Sequence, residues 1–411
     1  MNPRASFSIA TLVALCCVTC TPGPAIESGR WRAWLDSPGG ELPFGLELTP
    51  DDGAWSAQII NGPERLEVAE VKIDGDRLTL RIPHYDATVE ATRSSATTLD
   101  GRWWKTGKLG AISELPFHAV HGEAHRFARL QETREKTGSV AGRWAVRFAD
   151  EEDLAIAEFE QDDGHEVTGT FLTTTGDYRY LAGSFEGDRL RLSVFDGAHA
   201  FLFDARLQAD GSLAGDFWSR ESWHDTWTAE RDESVTLDSA TEQVAWIGGP
   251  PLNEVAYPDL DGVLRSLDDP EFAGKARILE VFGSWCPNCN DATAYLVDLH
   301  ERYGERGLSI VGLAFEMTGE FERDAEQVRV YRDHHGIEYP LLIAGTSDKA
   351  EASATFPLIE RVKSYPTTIF LDGEGSVHTV YSGFSGPATG EAYTRLQVLF
   401  ESTIEELLGD G

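Results

Sequence analysis

The sequence GSWCPNCNDA, residues 283–292, places two cysteines three positions apart where the pattern of the chain changes. Before it, ARILEVFGSW (276–285) is an apolar run typical of a buried β-strand, and after it CPNCNDATAYLVDLHERYGERG (286–307) carries apolar residues at helical spacing. The chain has five cysteines, and the other three lie within its first 20 residues. A C-x-x-C pair between a predicted strand and a predicted helix indicates redox chemistry.

The position of the pair predicts different roles for its two sulfurs. Cys286 falls at the start of the helix, where unpaired backbone N–H groups and the positive end of the helix dipole stabilise a thiolate, so we expect it to attack. Pro287 suits the first helical turn because its missing N–H is not needed there. Cys289, one turn on and more buried, would attack the mixed disulfide and release the product. Trp285 would shield the pair or simply pack beside it.

Metal and nucleotide sites are disfavoured. Zinc usually takes four ligands, and the histidines near the pair, His300, His334 and His335, fall on separate predicted helices. A structural disulfide would close too small a loop to restrain the unfolded chain. HAVHGEAH (118–125) is expected to be a strand or linker, which would divide its histidines between opposite faces. The sequence contains no G-x-G-x-x-G or P-loop pattern, so we expect no cofactor. Because neither histidine group is expected to assemble a set of ligands, we also expect no metal.

Two positions outside the pair fit the same chemistry. Glu280 lies in an otherwise apolar run, so an inward-facing carboxyl there would be desolvated, with a raised pKa, and could accept the proton of Cys289. The alternative is a Glu280 that faces solvent at a strand edge. Pro366, in KSYPTTIFLD (363–372), precedes a β run. A cis bond at this proline would hold the backbone of Tyr365 ready to pair with a bound peptide.

Length and charge narrow the function classes. A chain of 411 residues is expected to form two or three domains, and 41% hydrophobic residues are enough for folded cores. The formal net charge of −34 argues against nucleic-acid binding, because phosphate binding needs clustered Lys and Arg. It also argues against adhesion of the protein surface to anionic lipid. We interpret the acidity as a solvated, soluble surface.

The first 20 residues are predicted to be a secretion or lipoprotein signal. Arg4 supplies a positive charge, and FSIATLVALCCVTC (7–20) is apolar but too short to span a bilayer. Cys20 follows this apolar core, as a lipidated cysteine would, although Cys17 is unusual for such a signal. We therefore expect an extracytoplasmic protein, in the periplasm or cell envelope, that is anchored by lipid on Cys20 or secreted outright.

The region up to residue 235 is predicted to form two repeated all-β modules, 28–125 and 140–235. Each divides into about eight short strands, the number that closes a small up-and-down barrel, so we expect lipocalin-like barrels or sandwiches. The repeat is carried by three pairs of segments at offsets of 112 to 114 residues: GRW at 29–31 and 142–144, IDGDRLTLRI (73–82) and FEGDRLRLSV (185–194), LDGRWW (99–104) and LAGDFW (213–218).

An α/β domain is predicted for residues 245–411, after an acidic linker at 231–243. Strand-like and helix-like segments alternate there, which predicts a mostly parallel sheet with helices on both faces and an antiparallel hairpin at one edge. The predicted strands are 276–285, 308–316, 339–345, 367–375 and 377–384, and the predicted helices are 286–307, 321–336 and 394–408.

Residues 250–410 resemble the TlpA/ResA/DsbE-type branch of the thioredoxin fold. The resemblance is carried by AYPDLDGVLRSLDDPEFAGKARILEVFGSWCPNC, GLSIVGLAFE and SYPTTIFLDGEGSVHTVYSGFSGP. In that branch the first cysteine is the nucleophile, the second resolves, an acid six residues earlier accepts a proton, and a Tyr-Pro-Thr loop faces the disulfide. These roles carry over to Cys286, Cys289, Glu280 and Pro366. Substrate contacts are expected at Trp285, Pro287, Tyr365 and Thr367.

The resemblance implies a thiol-disulfide oxidoreductase that reduces protein disulfides and receives electrons from a membrane thiol–disulfide donor. A thiol peroxidase is the first alternative, although EVFGSW before Cys286 lacks the P-x-x-x-T/S-x-x-C pattern of peroxiredoxins. The second is a binding protein whose β-modules hold an apolar ligand or a protein partner, with the redox domain subsidiary. In that case tryptophans would line the cavity, and the candidates are Trp31, Trp103, Trp144 and Trp218.

Overall fold

The computed structural model describes residues 26–128 and 138–409. The predicted signal and its candidate lipidation site, Cys20, lie outside the described residues. The described chain forms two β-sheet regions followed by an α/β domain. No helix within these residues is long and apolar enough to cross a membrane.

The first region, which we call the open sheet, is antiparallel throughout, and its first strand lies between the second and the last. The order is β4-β3-β2-β1-β9-β8-β7-β6-β5, and the end strands β4 and β5 do not pair with each other in the described chain. Its strands are β1 Gly29–Ser37, β2 Gly40–Asp51, β3 Ala54–Asn61, β4 Glu64–Glu67, β5 Glu70–Asp74, β6 Arg77–Ile82, β7 Ala87–Arg93, β8 Thr98–Thr106 and β9 Ile112–His121.

The second region, which we call the barrel, closes on itself. Its order is β11-β10-β18-β17-β16-β15-β14-β12, and pairing of β11 with β12 completes a closed antiparallel barrel of eight strands. The strands are β10 Gly142–Phe148, β11 Ala155–Gln161, β12 Glu166–Thr173, β13 Gly176–Asp177, β14 Leu181–Glu186, β15 Arg189–Phe195, β16 Ala200–Leu207, β17 Leu213–Ser219 and β18 Trp223–Arg231. The two-residue β13 pairs antiparallel with the end of β12.

The two β regions therefore differ in closure, and the prediction of a closed barrel is wrong for the first of them. The reason lies in a shared core: barrel residues Phe195, Ala200 and Leu202 pack into the hydrophobic core of the open sheet. The ring of Phe195 lies 4.5 Å from that of Phe44 on β2. Because the barrel fills this side, the open sheet buries its apolar face without closing.

The interior of the barrel is filled with aromatic side chains. Phe171, Phe203 and Phe217 stack inside it. The ring centroids of Phe171 and Phe203 are 4.6 Å apart, and those of Phe203 and Phe217 are 4.5 Å apart. Of the tryptophans considered as cavity walls, three are fully buried in hydrophobic cores: Trp31, Trp103 and Trp144. The fourth, Trp218, is half-buried against the open sheet. These aromatic residues are core, the commoner use of such side chains.

The C-terminal domain contains a five-stranded mixed sheet of order β23-β22-β21-β24-β25. The pairs β21–β22 and β22–β23 are parallel, and β24 and β25 form the antiparallel hairpin at one edge that the sequence predicts. The elements are β19 Ala256–Pro258, β20 Leu264–Ser266, β21 Ala276–Phe282, α1 Pro287–Tyr303, β22 Leu308–Glu316, α2 Phe321–His335, β23 Leu341–Thr346, α3 Lys349–Thr355, β24 Thr367–Asp372, β25 Val377–Ser382 and α4 Glu391–Leu408.

One buried arginine joins all three regions. Arg179, in the barrel, pairs with Glu64 of the open sheet at 3.1 Å and with Asp291 of α1 in the C-terminal domain. Beside it, Asp177 accepts a hydrogen bond from the backbone N–H of Gly386 at 2.6 Å. A buried charge has to be paired, because an unpaired one is strongly destabilising. This cluster therefore fixes the barrel and the open sheet to the first turns of α1.

A second contact holds the open sheet against α2. The amide of Gln327 donates hydrogen bonds of 3.0 Å to the backbone carbonyls of Pro83 and His84. The ring of His84 stacks on that of His334, with centroids 3.8 Å apart. Arg323 pairs with Asp86 at the same contact. Together with the arginine cluster, these contacts dock the β regions around the end of the sheet where the cysteine pair lies.

Candidate functional site

The two cysteines lie where β21 ends and α1 begins. Cys286 is the N-cap residue of α1, and its sulfur accepts a hydrogen bond from the backbone N–H of Cys289 at 3.2 Å. The Cys286 thiol lies 3.4 Å from the carbonyl oxygen of Tyr365, to which it donates. Both are free thiols; Cys289 is fully buried, whereas Cys286 is 6% exposed. Burial and the neighbouring Cys286 raise the pKa of the Cys289 thiol well above its usual range.

The loop that carries Cys286 is held by a buried carboxylate that sequence reasoning missed. Glu316, at the end of β22, accepts hydrogen bonds of 2.8 Å from both the backbone N–H and the hydroxyl of Ser284. The indole N–H of Trp285 donates to the carbonyl of Phe315 at 2.8 Å. Burial raises the pKa of Glu316 to about 7. The available signal was the acid that ends the apolar run LSIVGLAFE.

The loop before β24 faces the pair from the opposite side. The Tyr365–Pro366 peptide bond is cis, and the ring of Tyr365 meets that of Trp285 edge-on at 5.3 Å. Thr367 is fully buried, and its hydroxyl donates to the carbonyl of Ser364 at 2.9 Å. The structure thus brings Tyr365 and Pro366 beside the sulfur, while the side chain of Thr367 is committed to the shape of the loop.

Glu280 lies inside the domain on β21 and does not face solvent. It is 1% exposed; one carboxylate oxygen accepts a hydrogen bond from the hydroxyl of Thr368 at 2.7 Å, and the other has no partner among the described residues. Burial raises its pKa to about 8. After burial and Cys286, the charge of Glu280 also contributes to raising the pKa of Cys289. A carboxyl that is protonated near neutral pH can exchange a proton with its surroundings.

A pocket of about 520 Å³ opens in front of Cys286, and all three regions of the protein line it. The C-terminal domain contributes the expected residues Trp285, Cys286, Pro287 and Tyr365. More than half of the lining comes from the open sheet and the barrel, which close over the thiol from two sides. The contributions from the β regions are Lys105, Gly107, Lys108, Ala111, Ile112, Ser113, Thr175, Ala198, His199, Arg220, Glu221 and Ser222. These wall residues follow no motif, so sequence reasoning could not find them.

Comparison with known proteins is concentrated on this domain. Residues 249–380 match the family model described as AhpC/TSA family. Thioredoxin-like protein YneN of Bacillus subtilis is 30% identical over 124 residues, which cover 30% of this chain and 65% of YneN, just under two thirds of its length. Thiol-disulfide oxidoreductase ResA of Geobacillus thermodenitrificans is 26% identical over 143 residues, covering 35% of this chain and 74% of ResA.

Solved structures give matches of similar extent. A thiol:disulfide interchange protein of the thioredoxin family from Chlorobium tepidum is 24% identical, and the match covers 37% of this chain and 92% of that one with a TM-score of 0.28. A secreted disulfide oxidoreductase of Mycobacterium tuberculosis is 17% identical, and the match covers 35% of this chain and 94% of that one with a TM-score of 0.26.

The raised pKa of Glu280 predicts a pH-dependent stability. The folded chain keeps this proton up to about pH 8, whereas an unfolded chain releases it near pH 4.3. The stability contribution is complete below the unfolded pKa and is lost as pH rises through the folded one. Glu280→Gln should therefore reduce the loss of unfolding free energy between about pH 5 and pH 8, by up to about 4 kcal/mol.

Urea denaturation at four pH values in this range measures the effect. Glu301→Gln, which removes an exposed carboxyl from the same domain, is the control and should parallel the unmodified protein. Identical pH profiles for the unmodified protein and Glu280→Gln would show that the Glu280 carboxyl is not buried as described.

Proposed function

We propose that this chain, whose C-terminal region is a thioredoxin-like domain of the AhpC/TSA family, is an extracytoplasmic thiol-disulfide oxidoreductase that reduces protein disulfides through Cys286 and Cys289. The observation that carries the proposal is the hydrogen bond from the Cys289 backbone N–H to the Cys286 sulfur at 3.2 Å, at the first turn of α1. This donor and the helix dipole stabilise a thiolate that faces an open pocket. The relatives named thiol-disulfide oxidoreductases support the same class.

In the proposed reaction the Cys286 thiolate attacks one sulfur of the substrate disulfide. A bond forms between Cys286 and that sulfur, and the other substrate sulfur leaves as a thiolate and takes a proton. Cys289 then attacks Cys286, which breaks the mixed disulfide, releases the second substrate thiol and leaves a Cys286–Cys289 disulfide. Two electrons pass from the enzyme dithiol to the substrate, and a membrane thiol–disulfide protein is the proposed donor that restores the dithiol.

The second step needs a proton acceptor, because burial keeps the Cys289 thiol protonated at neutral pH. We assign this role to the ionised form of Glu280. With a pKa of about 8 the carboxyl is mostly protonated at neutral pH, but it loses and regains its proton readily there, and the ionised form can accept the proton of Cys289. Its free carboxylate oxygen has no hydrogen-bond partner in the described chain, so it is available to a proton delivered through the interior. Glu316 is not assigned the role, because both of its oxygens are engaged by Ser284.

The other two candidate functions have less support. A thiol peroxidase would need the threonine-containing pattern that is missing before Cys286. A β-protein that encloses an apolar ligand would need an unfilled barrel, whereas Phe171, Phe203 and Phe217 occupy the interior of this one. Consumption of peroxide far faster than by a free thiol would revive the first, and a co-purified ligand in native mass spectrometry the second.

The chain is proposed to consist of β-modules at 28–125 and 140–235 and a thioredoxin-like domain at 245–411. The matching sheet order, in which the first strand lies beside the last, supports a common origin of the two modules as diverged lipocalin-like units. Limited proteolysis that cuts first inside a module, rather than at a boundary, would contradict these limits.

Cys286 and Cys289 should give opposite phenotypes in a single-turnover assay with the reduced protein and insulin. Cys286→Ser should lose at least about 99% of the rate, because no thiolate remains at the pocket. Cys289→Ser should attack normally but accumulate a mixed disulfide, visible as an added mass on non-reducing gels. Full activity of Cys286→Ser, or no trapped adduct with Cys289→Ser, would contradict the mechanism.

Glu280→Gln should slow the resolving step and leave the first attack unchanged. Removal of a positioned proton acceptor costs about 10²-fold or more, so the mixed disulfide should persist transiently in this variant. Rapid-quench measurement of the adduct separates the two steps. Thr368→Val, which removes only the hydroxyl that bonds Glu280, is the matched control and should change the resolving rate much less. Equal resolving rates in all three proteins would refute the role.

Lipid anchoring on Cys20 remains part of the proposal for the cell location. Cys20→Ala should then move the protein from the membrane fraction to the soluble extracytoplasmic fraction, because one lost acyl anchor removes its membrane affinity. An unchanged membrane fraction would exclude this cysteine as the anchor.

A further inference from the structure

The pocket in front of Cys286 is strongly cationic, although the protein is strongly acidic. Lys105 and Lys108 of the open sheet side, Arg220 of the barrel and Lys349 of the C-terminal domain all line it. Glu221 is the one carboxylate among its described lining residues, and that carboxylate accepts a hydrogen bond from Ser113. A chain with 69 acidic and 35 basic residues has thus placed four of its cations around one thiol.

Three of these cations form no ion pair within the described parts of the chain, and the carboxylates that act on them do so from beyond ion-pair distance: Lys105, Arg220 and Lys349. Lys108 has a loose pair with Asp348 at 3.7 Å. Most arginines elsewhere in the fold are paired with carboxylates, as Arg102 and Arg189 illustrate. In a chain with a twofold excess of acids, unpaired cations at a single pocket indicate that an anion from outside completes them.

Two of the positions are locally unfavourable, which points to the pocket rather than to folding. Lys105 is only 2% exposed, and a buried ammonium without a carboxylate is costly. Burial and the nearby Arg220 lower the pKa of Lys105 to about 7, so its amine is only partly ionised at neutral pH, and a bound anion would favour the charged form. Arg220 adopts a left-handed backbone conformation, with φ of 55°, between β17 and β18. For a residue other than glycine this conformation is energetically costly, and such residues cluster at functional sites.

The walls that carry these cations are fixed relative to the sulfur. The open sheet contacts the C-terminal domain beside the pocket through a 2.8 Å hydrogen bond from the Leu109 N–H to the carbonyl of Met317. The barrel is held to α1 by Arg179 and Asp291, close in sequence to Cys289. The cationic walls are thus built into the site, and a disulfide has to enter between them to meet Cys286.

We propose that this pocket selects disulfides whose sulfurs are flanked by carboxylates, carried on a short or extended segment that fits between the walls. The proposal rests on the proposed function and specifies its substrate class. Carboxylates of the substrate would pair with Lys105, Arg220 and Lys349 while its disulfide meets Cys286. The exchange step is unchanged: a Cys286–sulfur bond forms, the substrate disulfide breaks, and its other sulfur leaves as the thiol.

Single-turnover reduction by the full-length, pre-reduced protein tests the selection. The probes are three tetrapeptides, each containing one cysteine and, at its other three positions, only glutamate, only glutamine or only lysine; each is used as its disulfide-linked dimer. Oxidised glutathione serves as a small anionic disulfide. The glutamate peptide should react at least about tenfold faster than the lysine peptide, with the glutamine peptide between them, as expected for unpaired cations that gain partners.

Three substitutions should each reduce the ratio of glutamate-peptide to lysine-peptide rates by about threefold or more: Lys105→Met, Arg220→Gln and Lys349→Gln. The ratio separates selection from a general loss of thiol reactivity, which would slow all peptides equally. Lys349 is exposed, so its variant should fold even if the buried Lys105 variant does not. Lys72→Gln, at an exposed position on β5 away from the pocket, is the control and should leave the ratio unchanged.

The outcomes separate the two proposals. Equal rates for the three peptides, or a preference that survives all three substitutions, would overturn the inference and leave the proposed function standing. Reduction of none of the peptides would overturn both. If oxidised glutathione reacts as fast as the glutamate peptide, the selected disulfide is a small molecule; if it reacts slowly while the glutamate peptide reacts fast, the disulfide is carried on a polypeptide.

Discussion

The contact between the Cys286 sulfur and the backbone N–H of Cys289 at the start of α1 is the constraint around which the C-terminal domain is arranged. N-cap positions usually carry Ser, Thr, Asp or Asn, whose oxygen accepts a hydrogen bond from the first turn. Here the thiol takes that place and accepts from Cys289 N–H at 3.2 Å. The helix end that needs an acceptor is thus the end that stabilises a thiolate. Glu316, through Ser284, and the loop containing Tyr365 hold this sulfur in position.

The same helix also positions the β regions. Asp291 lies two residues after Cys289 and pairs with Arg179, which in turn pairs with Glu64 of the open sheet. Near it, Asn290 contacts His335 of α2 at 2.8 Å. The first turns of α1 therefore carry Cys286 on one side and, through Asp291, the anchor of the pocket walls on another. Any change in how either β region docks on α1 would disturb this buried ion cluster, which is energetically costly. The shape of the pocket is therefore coupled to the geometry at the thiol.

The sequence pattern correctly predicted those features of the structure that depend on neighbouring residues. The helical spacing after the cysteines, the Gly336 stop of α2, with φ of 65°, and the acid inside the apolar run of β21 each follow from a few neighbouring residues. The closure of the first β region could not be predicted in this way, because it depends on barrel residues such as Phe195, which fill its core although they come after its last strand, β9, has ended at His121. Lys105 and Arg220 also lack a signal, since their role arises only where three regions meet.

The protein is acidic overall but its pocket is cationic, and this difference determines at what distance the proposed selection among disulfides would act. Charges separated by more than about 8–10 Å are largely screened at physiological salt, so the overall charge of −34 influences the approach of a substrate but little inside the pocket. Within the pocket, Lys105 and Arg220 would act on a partly desolvated ligand, where each charge–charge contact is stronger than at an open surface. Discrimination between disulfides would therefore arise after entry, at the moment the sulfur of Cys286 is reached, rather than by long-range steering.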